Sequence, residues 1–172
     1  MKKLLLIVFA LTSLSAFGLS LNLGINSNTG SIGIKDGFSL KNDTDYDGAV
    51  LGVQAEITQG FILGEIGAGV SFEPGYKTKG SNNKVNQMPM YLLGRINLFP
   101  VGVKPYIVGK FGKVSYSGDT TMDDGNYYAI GAGVTLIGML QVEGNYSIRE
   151  GKIGSTEFLS QIVSLSLSYN LF

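Results

Sequence analysis

From Gly125 to Gly151 the chain reads GNYYAIGAGVTLIGMLQVEGNYSIREG, an alternation of two kinds of residue that pauses once, at Ile137–Gly138. One set is apolar: Tyr128, Ile130, Ala132, Val134 and Leu136, then Leu140, Val142, Tyr146 and Ile148. The other is Ala129, Gly131, Gly133 and Thr135, then Gln141, Glu143, Asn145, Ser147 and Arg149. A period of two belongs to a strand with unlike faces. A strand face turned to water favours Thr, Lys and Glu, and glycine there weakens the strand. Glycines mixed with amides and a few charges suit a narrow interior, where opposite walls nearly touch and each polar group needs a partner. The alternation therefore puts the apolar set outside, against lipid, and the small and polar set inside a closed barrel.

Six further stretches set the scale. The same alternation predicts strands over Ser20–Asn26 (a run-on into SIGI, Ser31–Ile34, is left open), Tyr46–Thr58, Phe61–Phe72, Met88–Phe99, Lys104–Tyr116 and Gln161–Phe172, which with the opening pair makes eight. Apart from Ser20–Asn26, each is about ten residues or slightly longer, the length a tilted strand needs to cross a bilayer. Connections at 58–61, 99–104 and 136–139 are tight, whereas 27–45, 73–87, 117–125 and 149–160 are long and polar. Short turns on one side, long loops on the other and an even strand number describe an all-β, antiparallel up-and-down transmembrane barrel.

The N-terminus, MKKLLLIVFALTSLSAFG, has a basic start, an apolar run over Leu4–Leu11 and small residues after it, the pattern of a signal peptide cleaved after Gly18. Residues 1–18 are thus expected to be an address and 19–172 the barrel domain. Lys and Arg together number 13, as do Asp and Glu. Without Lys2 and Lys3, 11 basic residues face 13 acidic ones, which gives no basic excess for nucleic acid. The chain has no cysteine and no histidine, which removes disulfides, thiol catalysis, histidine-based triads and the commonest metal ligands. No cofactor is expected.

The ordered set of leader, MPMYLLGRINLF, KPYIVGKFG, YYAIGAGV and a terminal Phe172 resembles the small OmpA/OmpX-type outer-membrane β-barrel proteins across nearly the whole mature chain. The resemblance implies location in the cell outer membrane, contact with its lipid, and insertion by the outer-membrane assembly machinery that reads the last strand. The ending departs from the usual pattern, because the apolar set Val163, Leu165, Leu167, Tyr169 and Leu171 is out of phase with Phe172.

Several residues are candidates for specific roles. Aromatic girdles at the two membrane interfaces are expected from Phe61, Phe99, Tyr106, Tyr169 and Phe172 on the turn side, and from Tyr46, Phe72, Tyr116 and Tyr128 on the loop side. The inward faces carry Glu56, Glu65, Arg95 and Glu143. Lys110 is turned inward as well, since a lysine facing mid-bilayer lipid costs about 2–4 kcal/mol. Turn positions pair Glu65 with Arg95 and set Gln54 beside Glu65 as one cross-strand row, with Glu143 and Lys110 as a second pair. Charges closed inside a narrow barrel are read as structural rather than as acid–base catalysts. DTDYDG (Asp43–Gly48) matches the start of a calcium loop through Asp43, Asp45 and Asp47, although the twelfth position is Gln54 rather than Glu. The 73–87 segment carries Lys77, Lys79 and Lys84, and 117–125 carries Asp119, Asp123 and Asp124.

The function expected is that of a non-enzymatic, adhesin-like surface protein, its barrel an anchor and its four loops meeting an extracellular ligand. Alternatives left open are a small pore for minor solutes and a secreted ligand-binding barrel. Outer-membrane enzymes of similar architecture rely on His. Gly64, Gly94 and Gly144 on the outer face leave oligomeric state open.

Overall fold

The computed structural model describes residues 18–99, 103–120, 122–136 and 139–171. The expected leader (apart from Gly18) and Phe172 lie outside the described residues. Nine strands form one sheet: β1 Leu19–Asp36, β2 Ser39–Asp45, β3 Val50–Phe61, β4 Gly64–Tyr76, β5 Val85–Asn97, β6 Lys104–Gly118, β7 Gly125–Leu136, β8 Leu140–Ile153 and β9 Thr156–Asn170. Apart from β2, each strand pairs antiparallel with the next in the chain, and β1 pairs with β9 from Asn22↔Asn170 to Ile34↔Phe158. That last ladder closes an eight-stranded barrel and removes its free edges.

β2 is the additional strand. The first half of β1 pairs with β3 (Leu19↔Gln59 to Asn28↔Val50), and its far end pairs with β2 (Ser31↔Asp45 to Asp36↔Ser39). Residues 27–45, expected as a loop, are thus mostly a β-hairpin rising from the barrel wall. Gly37 at its turn has φ 65°, the left-handed conformation that a two-residue hairpin turn asks of its first residue. Residues 149–160 differ from expectation in the same way. β8 and β9 stay paired up to Ile153↔Thr156, and Gly154 (φ 60°) begins another two-residue turn.

The faces follow the alternation. Leu51 (71% exposed), Ile130 (69%) and Leu165 (61%) point outward, whereas Arg95, Glu56 and Glu143 point inward and are at most 2% exposed. An apolar exterior belt around a polar interior is the inverse of a water-soluble barrel. The glycines on the inner face leave room for large neighbours. A Cβ on Gly133 would stand 2.5 Å from the Tyr106 ring, and one on Gly69 would stand 2.7 Å from that of Tyr91.

The first tight turn lies three residues later than expected, at Ile62–Leu63 between Phe61 and Gly64. Such a displacement moves each cross-strand partner by six, an even number, so inner residues stay inside but change neighbours. Gln54 faces Ser71 rather than Glu65, and Glu65 faces Gly60 on that side. Across β4 and β5, Glu65 does face Arg95.

Candidate functional site

The lumen is filled at two levels. At the first, Arg95 of β5 reaches three carboxylates: Glu65 of β4 (Nη1 to Oε2, 3.1 Å), Glu143 of β8 (Nε to Oε2, 3.3 Å) and Glu56 of β3, through Nη2. Lys110 of β6 bridges two of the same carboxylates, at 2.7 Å from Glu143 and 3.0 Å from Glu56. The expected row and the expected second pair are therefore a single network, and Gln54 is outside it, donating instead to Ser168 Oγ at 3.0 Å. Tyr91 donates to Glu56 at 2.9 Å and Tyr106 to Glu143 at 3.0 Å. Their rings also lie under the cations, with Lys110 4.9 Å from the Tyr91 centroid and Arg95 5.4 Å from that of Tyr106. Two buried cations thus meet two buried carboxylates, and Glu65, the third, is partly open to water. Closed in this way, the charges limit the desolvation cost that an unpaired ion would carry.

The second level was not legible as a site in the sequence. Arg149 of β8 holds Glu73 of β4 with two nitrogens (2.5 and 3.2 Å) and donates to Gln87 Oε1 at 2.8 Å. Tyr76 and Ser71 donate to the same carboxylate at 2.6 and 3.1 Å, and Tyr127 lies under the guanidinium at 5.5 Å. Both ions sit where a loop was expected, at the starts of 149–160 and 73–87. Parity was the available signal, because Arg149 is in phase with Glu143 and Glu73 with Glu65.

Above this pair the barrel opens into a cavity of about 290 Å³. Tyr46, Tyr76 and Tyr116 are among its lining residues. Two of these correct the girdle expectation, as does Tyr106. Tyr46 is 6% exposed, packs its ring 4.7 Å from that of Tyr76, and shares a hydrogen bond with Ser160. Tyr106 is 1% exposed in the first charged level. Tyr116 is half-buried and donates to the Glu150 carbonyl at 2.7 Å. The reason is chemical: a phenol can fill space and still satisfy a polar interior, and the buried aromatic residues among those described are all tyrosines. Phe61, Phe72, Phe99, Tyr128 and Tyr169 are exposed on the exterior.

The calcium candidate does not assemble. Asp43 and Asp45 lie on the extended strand β2, where no curled loop gathers ligands, and Asp45 pairs with Lys79 at 2.8 Å. Among the described residues no three His, Cys, Asp or Glu side chains are grouped to hold a metal ion. The rim carries a separate charge cluster. Lys35 meets Glu150 at 2.9 Å and Glu157 at 3.5 Å, and Lys152 meets Glu157 at 2.8 Å. The hydrogen bond from Lys152 holds the Glu157 carboxyl below its ordinary 4.5, and the bond to Glu150 raises Lys35 above its ordinary 10.5.

No family profile and no curated protein matches the sequence. Solved structures do match the fold. Neisserial surface protein A aligns over 88% of this chain and 98% of its own, with 12% identity and a TM-score of 0.60. Ail, the attachment invasion locus protein of Yersinia pestis, aligns over 88% and 98%, with 12% identity and a TM-score of 0.50. The outer membrane protein OprG from Pseudomonas aeruginosa aligns over 90% and 96%, also with 12% identity and a TM-score of 0.50. The chain has the eight-stranded barrel fold of small outer-membrane proteins, with one hairpin strand added at its rim.

Proposed function

We propose that the protein is an integral outer-membrane barrel of non-enzymatic, surface-interaction type, in which the barrel is the anchor and the loop end meets an extracellular ligand. One observation carries this reading: a closed ring of strands wears its apolar residues outside and its ions inside. In water that exterior would be a continuous apolar patch far larger than soluble proteins expose. That weighs against a secreted, soluble ligand-binding barrel. The two charged levels weigh against a pore, since eight strands leave an interior only wide enough for side chains. The first-level carboxylates are each tied to a cation, and His and Cys are absent, which supports a structural rather than catalytic role for them. Two barrels of the same fold bear the names surface protein and attachment invasion locus protein, which fits a role at the exposed end.

In this reading the long-loop side, with β2 and the 46–49, 77–84 and 119–124 segments, faces outward from the cell. The partners are outer-membrane lipid, the assembly machinery that receives β9, and a ligand at the loops. The test is fractionation followed by an SDS gel of boiled and unboiled samples. Outer-membrane recovery with a heat-dependent change in migration is expected, because a closed hydrogen-bonded barrel persists in SDS. A soluble protein with no heat-dependent change would overturn the proposal.

A further inference from the structure

The cavity at the mouth combines aromatic and polar surface with an aliphatic part, Ile32, Val85, Met122 and Ile153. Its aromatic part is Tyr46, Tyr76, Tyr116 and Phe158. The phenol oxygens of the three tyrosines are already engaged, with Ser160 and Gln87, with Glu73, and with the Glu150 carbonyl. Tyr46 and Tyr76 are buried against each other, so the ring surface left to offer a ligand is that of half-buried Tyr116 and Phe158. The polar part is a collar of Asn42, Thr44, Thr78, Ser81, Asn83 and Thr120, neutral donors and acceptors contributed by β2 and two loops. Among the described residues no charged side chain lines the cavity. The ion pair beneath it, Arg149 with Glu73, is closed on itself.

A second observation marks the collar. Asn42 has φ 53° and is the only non-glycine residue with positive φ among those described. It lies in the bulge where the β1–β2 register shifts between Ile32 and Ile34, and bulges re-aim side chains beside functional sites.

From these surfaces we infer that the mouth binds a neutral, ring-shaped polyhydroxyl ligand, a terminal sugar residue of an uncharged glycan. This deepens the proposed surface role and rests on it for the direction the mouth faces. Aromatic rings take the apolar face of such a ring, while amides and hydroxyls take its rim of OH groups. An acyl chain of the same volume would strand the collar without partners, and an anionic ligand would find no counter-charge. At about 290 Å³ the space is near the lower end of small-ligand pockets, which suits one ring rather than several.

The chain carries its own probes. Met122 lines the cavity and is 7% exposed, whereas Met88, Met90 and Met139 stand on the exterior at 38%, 44% and 52%. The full chain in lipid nanodiscs, labelled on methionine methyls, is titrated with methyl β-glucoside and methyl β-galactoside by NMR. Glucuronate and 1-hexanol are the charged and apolar controls. A saturable shift of Met122 alone is expected from at least one glycoside, with half-saturation in the millimolar range and glucuronate about tenfold weaker. In the double variant Thr44→Val, Thr78→Val, which keeps volume and strand preference, that affinity falls about tenfold while the exterior methyls do not move. No Met122 shift at about 100 mM glycoside, or saturation by hexanol without any by a glycoside, overturns the inference. Fractionation of the same chain reads the outer-membrane reading separately, so the failure of one is distinguishable from the failure of the other.

Discussion

The middle of the lumen and its outer mouth both rely on tyrosines, yet the tyrosines serve opposite ends. In the middle, the Tyr91 and Tyr106 hydroxyls donate to Glu56 and Glu143, and Arg95 and Lys110 complete the set. At the mouth, Tyr46, Tyr76 and Tyr116 turn their hydroxyls into the wall and leave a cavity between their rings and a neutral collar. The first region fills space with paired charge, and the second holds space open without charge. Stability is therefore expected to respond to changes in the first and recognition to changes in the second.

The largest effect should come from Arg95→Met. It leaves Glu56 and Glu143 with one buried cation in place of two, and breaking a buried ion pair costs about 3–5 kcal/mol. Urea unfolding in lipid vesicles reads it. Arg149→Met should lose a comparable amount, and adding Glu73→Gln should recover much of it, because removing both partners leaves no unpaired ion. Absence of recovery would mean that Arg149 acts through Gln87 and Tyr127 rather than through Glu73.

The belt comes next. Ile130→Arg at the exterior should cost about 2–4 kcal/mol in a bilayer, whereas Phe38→Arg at the tip of the β1–β2 hairpin should cost about nothing. Equal costs at the two positions would place the bilayer elsewhere on the barrel.

Gly133→Ala tests the closeness of the inner walls. Its Cβ meets the Tyr106 ring at 2.5 Å and the Val142 carbonyl oxygen at 2.7 Å. Tyr106 must move, weakening its bond to Glu143 at a cost of about 1–3 kcal/mol. Gly144→Ala, with nothing within 4 Å of the added carbon, is the neutral control.

Smallest is the pH dependence of the rim. Glu157 is held below 4.5, so its contribution is present above that value and fades as pH falls through its lowered one. Lys35 is held above 10.5, so its contribution is present below that value and lost as pH rises through its raised one. Amide protection at the β8–β9 turn, taken relative to the intrinsic exchange rate at each pH, should therefore fall below pH 4.5 and above pH 10.5, with little change at Arg95.

Which side chains face in was readable from parity alone, because a strand's period of two survives errors in its ends. Partners were less readable. The β3–β4 turn at Ile62–Leu63 is apolar, with Ile62 94% exposed, and carries no turn residue to locate it. Gln54 was accordingly assigned the wrong neighbour, while Glu65 and Arg95 were paired correctly across β4 and β5. Composition hid the hairpins at the rim: the run-on of β1 into SIGI is readable, but KNDTD and REGKIGS read as loops although Gly37 and Gly154 mark turns of two residues. Arg149 stands at the end of the inward polar set, but placing Glu73 in a loop leaves it without its partner and hides the floor of the mouth. Tyr46, Tyr106 and Tyr116 resembled girdle residues because an aromatic at a strand end looks the same from sequence whether it points to lipid or to a polar lumen.

Conductance across a planar bilayer containing the purified barrel tests the central claim most directly, namely that the lumen is a filled structural core and recognition belongs to the mouth. The account predicts a silent barrel, with neutral glycosides changing nothing in the current. Steady ohmic conductance from the unmodified chain would contradict it.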